Sequence, residues 1–367
     1  MPPCRLLPRP RLISFKTHSR SFTVLALESS ADDTCAAVVT SSGNILSNVV
    51  LKQNHIHEGF GGIHPYRAVQ AHQQNMPIAV RKALNDARMN AAEVDGIAFT
   101  RGPGMTGCLG VGSSAAKTLA AALNKPLVGV HHMQAHALTP ILTSAPNPPT
   151  FPFLTLLVSG GHTLLLLATS ITQFRILATT PDESIGRVFD KVSRMLALPW
   201  SVKGPGASLE EFVAASTVQE DLALLMPRTM PGILRFSFTG LHSAVERFVT
   251  ARGGTEALDM STRHALANAF QKAAVGQLEE KVALALAWCE KQGIGVKHLV
   301  VSGGVASNLY LRESHDPILL VFPPAELCTD NAVMIAWASM HRFLTGNTDD
   351  YSVLIRPKWS IDDLSTN

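Results

Sequence analysis

The N-terminal half of the chain opens with three short apolar runs separated by polar turns. From Phe22 the sequence reads FTVLALESSADDTCAAVVTSSGNILSNVVL. This is a short apolar strand, an acidic turn, a second strand, a Ser-Gly turn and a third strand. Apolar residues at helical spacing follow at 65–89 and 106–122, and VDGIAFT and PLVGV read as further strands. This half therefore predicts three strands followed by alternating helices and strands.

A second half repeats this order after the proline-rich segment SAPNPPTFP at 144–152. FLTLLV, HTLLLLAT and FRILATT predict three strands. Helical patterns follow at about 185–197, 206–217, 239–251 and 262–291, and KHLVVS predicts another strand. Two halves in the same order indicate a duplicated α/β architecture. The chain contains no run of 18 or more apolar residues, so no membrane association is expected.

The formal net charge of +3 comes from the N-terminus. Residues 1–22 hold five Arg and Lys residues and no acid, and the remainder holds 26 basic and 28 acidic residues, a net charge of −2. An Arg-rich, acid-free leader without a continuous apolar run is typical of a mitochondrial transit peptide, which we assign to residues 1–21, and it predicts a location in the matrix. A disordered basic tail is the alternative. Because the rest of the chain is nearly neutral, a nucleic-acid partner would need a local basic patch.

The five cysteines are scattered and form no CxxC pair. They indicate neither a zinc knuckle nor a disulfide framework, and they fit a reducing compartment such as the cytosol or the matrix.

The segment HHMQAH at 131–136 is a candidate metal site. His132 and His136 stand four residues apart, which places them on one face of a helix where both can reach one ion. In the zinc-protease helix HExxH a Glu beside the first His acts as base, but Met133 occupies that position here. The alternative is that both histidines only pack in a core helix. His131 leaves open which residue is the first ligand.

Two identical Gly turns are candidates for nucleotide binding. The string VSGG occurs at 158–161 and at 301–304, each time after an apolar strand. Gly pairs let backbone N–H groups face a phosphate or ribose without obstruction from a Cβ atom. An acidic turn at Asp32 and Asp33 follows the first strand of the chain. Together these turns favour a nucleotide site more than a single Gly pair would.

Eight segments together resemble one family. They are ALESSADDT, FTRGPGMTGCLGVG, GVHHMQAH, LVSGGHT, DESIGRVFDK, RFSFTGLHSAV, VVSGGVASN and CTDNAVMIA, spread between about Val24 and Trp359. The set resembles the TsaD/OSGEP family of tRNA threonylcarbamoyladenosine synthases, formerly called O-sialoglycoprotein endopeptidases. With the leader, the chain resembles the mitochondrial branch.

The resemblance implies an α/β fold of the two-lobed, actin-like ATPase (ASKHA) type with duplicated β-β-β-α-β-α units. Residues 22–130 would form the N-terminal lobe, and a helix at 331–350 would pack back on it. Residues 131–330 would form the C-terminal lobe.

The resemblance also implies site residues. His132 and His136 would share one divalent metal ion per subunit with Asp330 of the TDN motif; zinc, iron and magnesium all remain open. Asp32 would lie on the phosphate side and is a possible catalytic residue. The other predicted nucleotide-binding and substrate-binding residues are Leu157, Val158, Ser159, Gly160, Gly161, Asp190 for the ribose, Gly204, and Asn308 beside the adenosine.

Three departures from the family pattern fall near these positions. Arg187 stands where the bacterial pattern GEAFDK has Glu, and we assign it no role. SVKGP at 201–205 has one residue more than the usual PGGP, which affects Gly204. After Asn308 the chain is several residues short, and Asp316-Pro317 would end a helix there early.

The activity implied by the resemblance is tRNA N6-adenosine threonylcarbamoyl transfer. The donor would be threonylcarbamoyl-AMP, and the acceptor would be N6 of the adenosine 3′ of the anticodon in mitochondrial tRNAs that read ANN codons. The partners implied are tRNA, threonylcarbamoyl-AMP with the enzyme that makes it, and a second copy of the chain in a homodimer.

Three other classes of protein share parts of this pattern. A sugar or acetate kinase would have the same fold and Gly turns but would not need His132, His136 and Asp330 together. A zinc endopeptidase needs a base that HHMQAH lacks. A nucleotide-binding scaffold without activity could lose the metal residues, and here all three are present.

Overall fold

The structure, a computed structural model, describes residues 21–60, 62–199, 201, 204–215, 226–312 and 319–364. Residues 1–20 of the expected leader, Val202 and Lys203 of the SVKGP segment, and Asp316-Pro317 lie outside the described residues. The strands are Thr23–Glu28 (β1), Thr34–Thr40 (β2), Ile45–Leu51 (β3), Gly96–Gly102 (β4), Leu127–His131 (β5), Phe153–Val158 (β6), Thr163–Ala168 (β7), Phe174–Thr179 (β8), His298–Ser302 (β9) and Leu319–Val321 (β10). The α-helices are Asn54–His57 (α1), Pro65–Asp86 (α2), Thr106–Ala122 (α3), His132–Thr143 (α4), Ile185–Met195 (α5), Pro205–Ala214 (α6), Thr239–Ala251 (α7), Met260–Lys291 (α8), Leu309–Arg312 (α9), Ala325–Cys328 (α10) and Ala332–Leu344 (α11).

Two five-stranded sheets have the same topology. The first has the order β3-β2-β1-β4-β5 and the second has the order β10-β9-β6-β7-β8. In the first sheet β1 pairs antiparallel with β2 and parallel with β4, and in the second β6 pairs antiparallel with β7 and parallel with β9. Each strand of the first sheet therefore has an equivalent in the second. The predicted α/β duplication is confirmed.

Three hydrophobic cores fill the spaces between the layers. One core lies between the first sheet and the helices α2 and α3. Another lies between the second sheet and the helices α5, α6, α7 and α8. The third contains side chains of α4 and α11 together with residues of both sheets. Strands β1 and β6 are buried along their whole length because helices cover both of their faces, which explains their continuous apolar sequence.

Helices α4 and α11 occupy equivalent positions in the two halves. Each is the helix that follows the last strand of its own sheet: α4 begins directly after β5, and α11 comes after β10 by way of α10. Both helices contribute to the core between the sheets, and α11 packs against strands of the first sheet and against α4. The start of each helix therefore lies where the two halves meet.

The structure differs from the sequence pattern mainly at the ends of elements. The helix predicted over 65–89 ends at Asp86, and the one predicted over 185–197 ends at Met195. Arg88 and Ala197 have left-handed backbone conformations there, which stop a helix, whereas side-chain periodicity continues past them. Residue 131, the expected start of the second lobe, is the last residue of β5 in the first sheet.

Within the described ranges, no helix has both the length and the apolar character that a bilayer crossing requires.

Candidate metal centre and nucleotide turns

The N-termini of α4 and α11 bring the two histidines and the aspartate together. His132 and His136 lie one turn apart on α4, and Asp330 precedes Asn331, the N-cap residue of α11. The Asn331 side chain accepts a hydrogen bond from the Met334 N–H at 2.9 Å and donates one to the Thr329 carbonyl at 2.8 Å. These bonds on both sides fix the backbone that carries Asp330.

The distances from Asp330 to each of the two histidines suit a shared metal ion. Asp330 Oδ1 lies 3.1 Å from His136 Nε2 and 3.5 Å from His132 Nε2, and the three possible ligand atoms lie within 4.8 Å of one another. Two ligands at about 2.1 Å from one ion are about 3.0–3.4 Å apart at angles of 90–110°. The Asp330 side chain is 24% exposed, whereas those of His132 and His136 are 8% and 3% exposed. An ion there could thus accept further ligands from the solvent side.

His131 faces away from this group. Its Nδ1 accepts a hydrogen bond from the Met133 N–H at 3.2 Å, and its Nε2 lies 3.2 Å from the Trp359 carbonyl. Its ring packs against that of Trp359 with centroids 4.7 Å apart. Burial lowers the pKa of His131 to about 3, so the ring is neutral. The geometry gives His131 the role of helix cap and leaves His132 and His136 as the pair that faces Asp330.

Glu28 belongs to this site, although the sequence analysis assigned it no role. This last residue of β1 is completely buried, and its Oε2 lies 3.3 Å from His132 Nδ1. The sequence does show that Glu28 is a carboxylate at the end of an apolar strand. Its contact with His132 is not visible in the sequence, because the two residues are 104 positions apart. His162 was also missed; it lies close enough for the charges of His132 and Asp330 to affect its pKa, which burial lowers to about 4.

The site concentrates negative charge. Burial and the nearby Asp330 raise the pKa of Asp32 to about 6. Burial and the charge of Asp32 raise the pKa of Asp33 to about 8. Burial lowers the pKa of His132, but Asp330 and Glu28 outweigh that effect and raise it to about 9. In water-poor surroundings several carboxylates together favour a bound cation.

The first VSGG turn presents open backbone. The Ser159 Oγ accepts hydrogen bonds from the Gly161 N–H at 3.3 Å and the His162 N–H at 3.0 Å. The Ser184 Oγ donates to the Gly160 carbonyl at 2.5 Å. A Cβ atom added at Gly160 or Gly161 would meet no other atom within 4 Å. These hydrogen bonds therefore fix the backbone of the turn, and its glycines leave room for a phosphate.

Leu157 and Val158 lie in β6 below this turn. The two residues are 2% and 0% exposed and belong to two different hydrophobic cores. These exposures cover backbone and side chain together, so neither residue presents a surface to a ligand in this structure. The predicted role of both residues stays a prediction.

Gly303 brings the second VSGG turn against the first. It has a positive φ of 98°, and a Cβ atom there would lie 2.4 Å from the Val158 carbonyl oxygen. The two turns predicted separately from the sequence thus form one surface at the ends of β6 and β9.

The other predicted nucleotide residues lie in α5, at the start of α6 and directly before α9. Asp190 of α5 accepts a backbone hydrogen bond from Gly206, near the start of α6, and Gly204 is the N-cap residue of α6 with a φ of 110°. Asn308 is 5% exposed, and its Oδ1 accepts a hydrogen bond from the Leu311 N–H at 3.0 Å. The structure gives Asn308 a capping role, and its predicted contact with the adenosine stays a prediction. Arg187 is 67% exposed and lies 4.0 Å from Glu183.

The buried carboxyl of Asp190 makes stability depend on pH. Burial raises the pKa of Asp190 from 3.8 to about 6, so the folded state binds the proton more tightly than the unfolded state does. Its contribution to stability is greatest below about pH 4 and is lost as the pH rises to about 6. Asp190→Asn is expected to remove this term, which is a gain in the free energy of unfolding over the wild type of about 2 kcal/mol at pH 7 relative to pH 4. Urea unfolding at both pH values measures it.

Asp182→Asn is the matched control for Asp190→Asn. Although burial opposes it, hydrogen bonds from Ser237 and Thr180 hold the pKa of Asp182 below its usual range. Its substitution should therefore cost more stability at pH 7 than at pH 4, the opposite sign. If Asp190→Asn were no more stable than the wild type at pH 7, the ionised Asp190 carboxylate would not destabilise the folded state.

A family model and curated relatives match this chain. The model, described as TsaD: tRNA N6-adenosine threonylcarbamoyltransferase, matches residues 44–337. A protein of Arabidopsis thaliana named "Probable tRNA N6-adenosine threonylcarbamoyltransferase, mitochondrial" is 37% identical over 94% of this chain and 75% of its own length. A "tRNA N6-adenosine threonylcarbamoyltransferase" of Cereibacter sphaeroides is 41% identical over 94% of this chain and 95% of its own length.

Solved structures resemble the fold at low sequence identity. Full-length HypF in its phosphate- and nucleotide-bound form aligns with 89% of this chain and 56% of its own, with a TM-score of 0.53 and 14% identity. Component A of the (R)-2-hydroxyglutaryl-CoA dehydratase of Acidaminococcus fermentans aligns with 88% of this chain and 99% of its own, with a TM-score of 0.51 and 13% identity. These neighbours place the chain in the actin-like ATPase fold.

Proposed function

The chain belongs to the TsaD family of tRNA N6-adenosine threonylcarbamoyltransferases, and we propose that it transfers the threonylcarbamoyl group of threonylcarbamoyl-AMP to tRNA. The acceptor is N6 of the adenosine 3′ of the anticodon in mitochondrial tRNAs that read ANN codons. The observation that carries this proposal is the identity of 37–41% over 94% of the chain with relatives of that name.

His132, His136 and Asp330 hold one divalent ion per subunit in this proposal. Two imidazoles and one carboxylate suit zinc or iron better than magnesium, which prefers a shell of oxygen ligands. Such an ion supplies Lewis-acid stabilisation of developing negative charge and a template for the oxygens of the donor. The ligand distances and the exposure of Asp330 support this assignment.

The donor nucleotide lies on the paired VSGG turns. The exposed backbone of Gly160 and Gly161 meets its phosphate, and the Asp190 carboxylate accepts hydrogen bonds from the ribose hydroxyls. The charge of Asp32 raises the pKa of Asp190, and the charge of Asp330 raises that of Asp32, so Asp32 lies near both the ribose residue and the metal ligand. In this proposal the carbamoyl group of the donor would reach the metal ligands.

The reaction needs position and charge stabilisation more than a protein nucleophile. A bond forms between N6 of the adenosine and the carbamoyl carbon, and the bond from that carbon to the phosphate oxygen breaks. AMP leaves with the bonding electrons, and N6 loses one proton. Because AMP is a good leaving group, holding the amine near the carbonyl and neutralising the developing charge are enough for catalysis.

The proposed partners are tRNA, the enzyme that makes threonylcarbamoyl-AMP, and a second copy of the chain. The near-neutral charge outside the leader means that tRNA docks on a local basic patch, so its binding weakens steeply with salt. The homodimer is tested by light scattering of the purified protein, where the mass of a single chain would contradict it.

Mass analysis of tRNA nucleosides tests the activity. The purified protein is incubated with unmodified mitochondrial tRNA, threonine, bicarbonate, ATP and the enzyme that makes threonylcarbamoyl-AMP. We expect an adenosine that is heavier by one threonylcarbamoyl group, and none in the reaction without this chain. An unchanged tRNA together with phosphorylation of a small sugar or acid would support a kinase instead.

The Arabidopsis relative and the acid-free leader support a mitochondrial location, which we propose to be the matrix. We expect import to cut the chain within about the first 25 residues, close to the end of the 1–21 leader, because the first core strand begins at Thr23. N-terminal sequencing of the protein from isolated mitochondria decides this. An intact Met1 there would contradict the transit peptide.

A further inference from the structure

Glu28 is a buried carboxylate with a defined set of partners. Its Oε1 accepts a hydrogen bond from the Ser30 N–H at 2.6 Å, and its Oε2 accepts one from the Thr100 hydroxyl. The same Oε2 lies 3.3 Å from His132 Nδ1. The residue is 0% exposed. An ionised carboxylate so deeply buried is costly unless a charged or strongly polar partner offsets the loss of hydration.

The contact with Glu28 favours one protonation form of His132, whose Nδ1 lies 3.3 Å from Glu28 Oε2 and also 3.3 Å from the Ser30 hydroxyl, which can accept a hydrogen bond as well as donate one. A carboxylate only accepts hydrogen bonds, so it favours the form of His132 with a proton on Nδ1. Nε2 then faces Asp330 and, in the neutral ring, carries a lone pair on the side of the proposed ion. Glu28 also fixes the plane of the ring, because Nδ1 has to point back toward β1.

His136 has no equivalent support. Its Nε2 faces Asp330 at 3.1 Å, but its Nδ1 is buried and has no hydrogen-bond partner among the described residues. Of the two histidines, His132 is therefore the one whose second ring nitrogen has hydrogen-bond partners among the described residues.

We propose that Glu28 is the positioning residue of the metal centre: it holds His132 in the tautomer and ring plane that present Nε2 to the ion. This inference rests on the proposed binding of one ion by His132, His136 and Asp330. Outer carboxylates that orient metal-bound histidines commonly change metal affinity by about 10- to 100-fold. A carboxylate that only closed the Ser30 turn would leave metal affinity unchanged.

Metal titration of Glu28→Gln tests the proposal without any measurement of activity. The variant has almost the same shape and keeps an oxygen for the Ser30 N–H, but it loses the charge. We expect its affinity for Zn²⁺ alone, measured by competition with a chromophoric chelator, to fall about 10- to 100-fold. Thr100→Val is the control: it removes another hydrogen bond of Glu28, leaves the His132 contact in place, and should change the affinity less than threefold.

A spectroscopic measurement on the wild type covers the case in which Glu28→Gln does not fold. In ¹⁵N-histidine spectra of the Zn²⁺-loaded protein, we expect the His132 Nδ1 to carry a proton and Nε2 to be the bound nitrogen. A metal-bound Nδ1 would overturn the proposal, and so would equal Zn²⁺ affinity of wild type and Glu28→Gln. A wild type that binds no metal ion would overturn the proposed metal centre itself, which distinguishes the two failures.

Discussion

Substitution of Asp330 by alanine is expected to abolish threonylcarbamoyl transfer while leaving the chain folded. The carboxylate is the group that faces both His136 and His132, at 3.1 and 3.5 Å. Two histidines without it hold an ion weakly, and the Lewis-acid stabilisation of the transition state is lost with the ion. We expect transfer to fall by at least about 100-fold, the scale of losing a well-placed electrostatic group.

The Asp330→Ala prediction is checked by elemental analysis and by the nucleoside assay on the same preparation. His136→Ala should likewise lose the ion and keep most of the fold. Asp86→Ala removes an exposed carboxylate at the end of α2 and serves as the control with normal metal content and activity. Equal metal content in wild type and Asp330→Ala would mean that other residues hold the ion.

Substitution of Gly303 by alanine is expected to lower the stability of the fold strongly. Its φ of 98° belongs to a region that side chains rarely adopt, and the new Cβ would lie 2.4 Å from the Val158 carbonyl oxygen. Backbone strain contributes about 1–3 kcal/mol, and forcing two backbone segments apart adds about as much. We therefore expect a loss of about 3 kcal/mol or more in the free energy of unfolding, and weaker binding of AMP.

The neighbouring glycine provides a matched control. A Cβ atom at Gly304 would come no closer than 4.0 Å to Thr329, and its φ lies outside the positive range. Gly304→Ala should therefore change the free energy of unfolding by less than about 1 kcal/mol. Urea unfolding and calorimetric titration with AMP compare the two variants. Similar stability of both would show that the close contact at Gly303 relaxes easily.

Hydrophobic patterning was sufficient to predict the architecture. Strands covered on both faces, such as β1 and β6, have sequences too apolar to be surface strands, and the repeat of their order predicted two similar halves. The ends of helices were less predictable, because single left-handed residues such as Arg88 end them without changing the apolar spacing. Packing between the sheets also depends on contacts between segments that are distant in sequence. The spacing of apolar residues does not reveal such contacts.

The site was predictable where one segment contains the whole signal. The spacing of His132 and His136 and the VSGG turns are local features of the sequence, and the structure places them as expected on α4 and at the ends of β6 and β9. The link from the histidines to Asp330 came from family resemblance, since 194 residues separate His136 from Asp330. Glu28 escaped notice because nothing in the local sequence distinguishes a buried carboxylate that contacts a histidine from one that closes a turn.

The proposed metal ligands come from two equivalent helices that are far apart in sequence. The order in which the chain is synthesised therefore decides when the site is complete. α4 comes from the first half of the chain, whereas Asp330 lies just before α11, close to the C-terminus. A chain that emerges from the ribosome, or from an import channel with its N-terminus first, presents both histidines long before the aspartate. Domains commonly fold in that order, and a complete site cannot exist until nearly the whole chain is present. In the proposed metal centre, capture of the ion is therefore a late event, and it would mark molecules in which both halves have already come together.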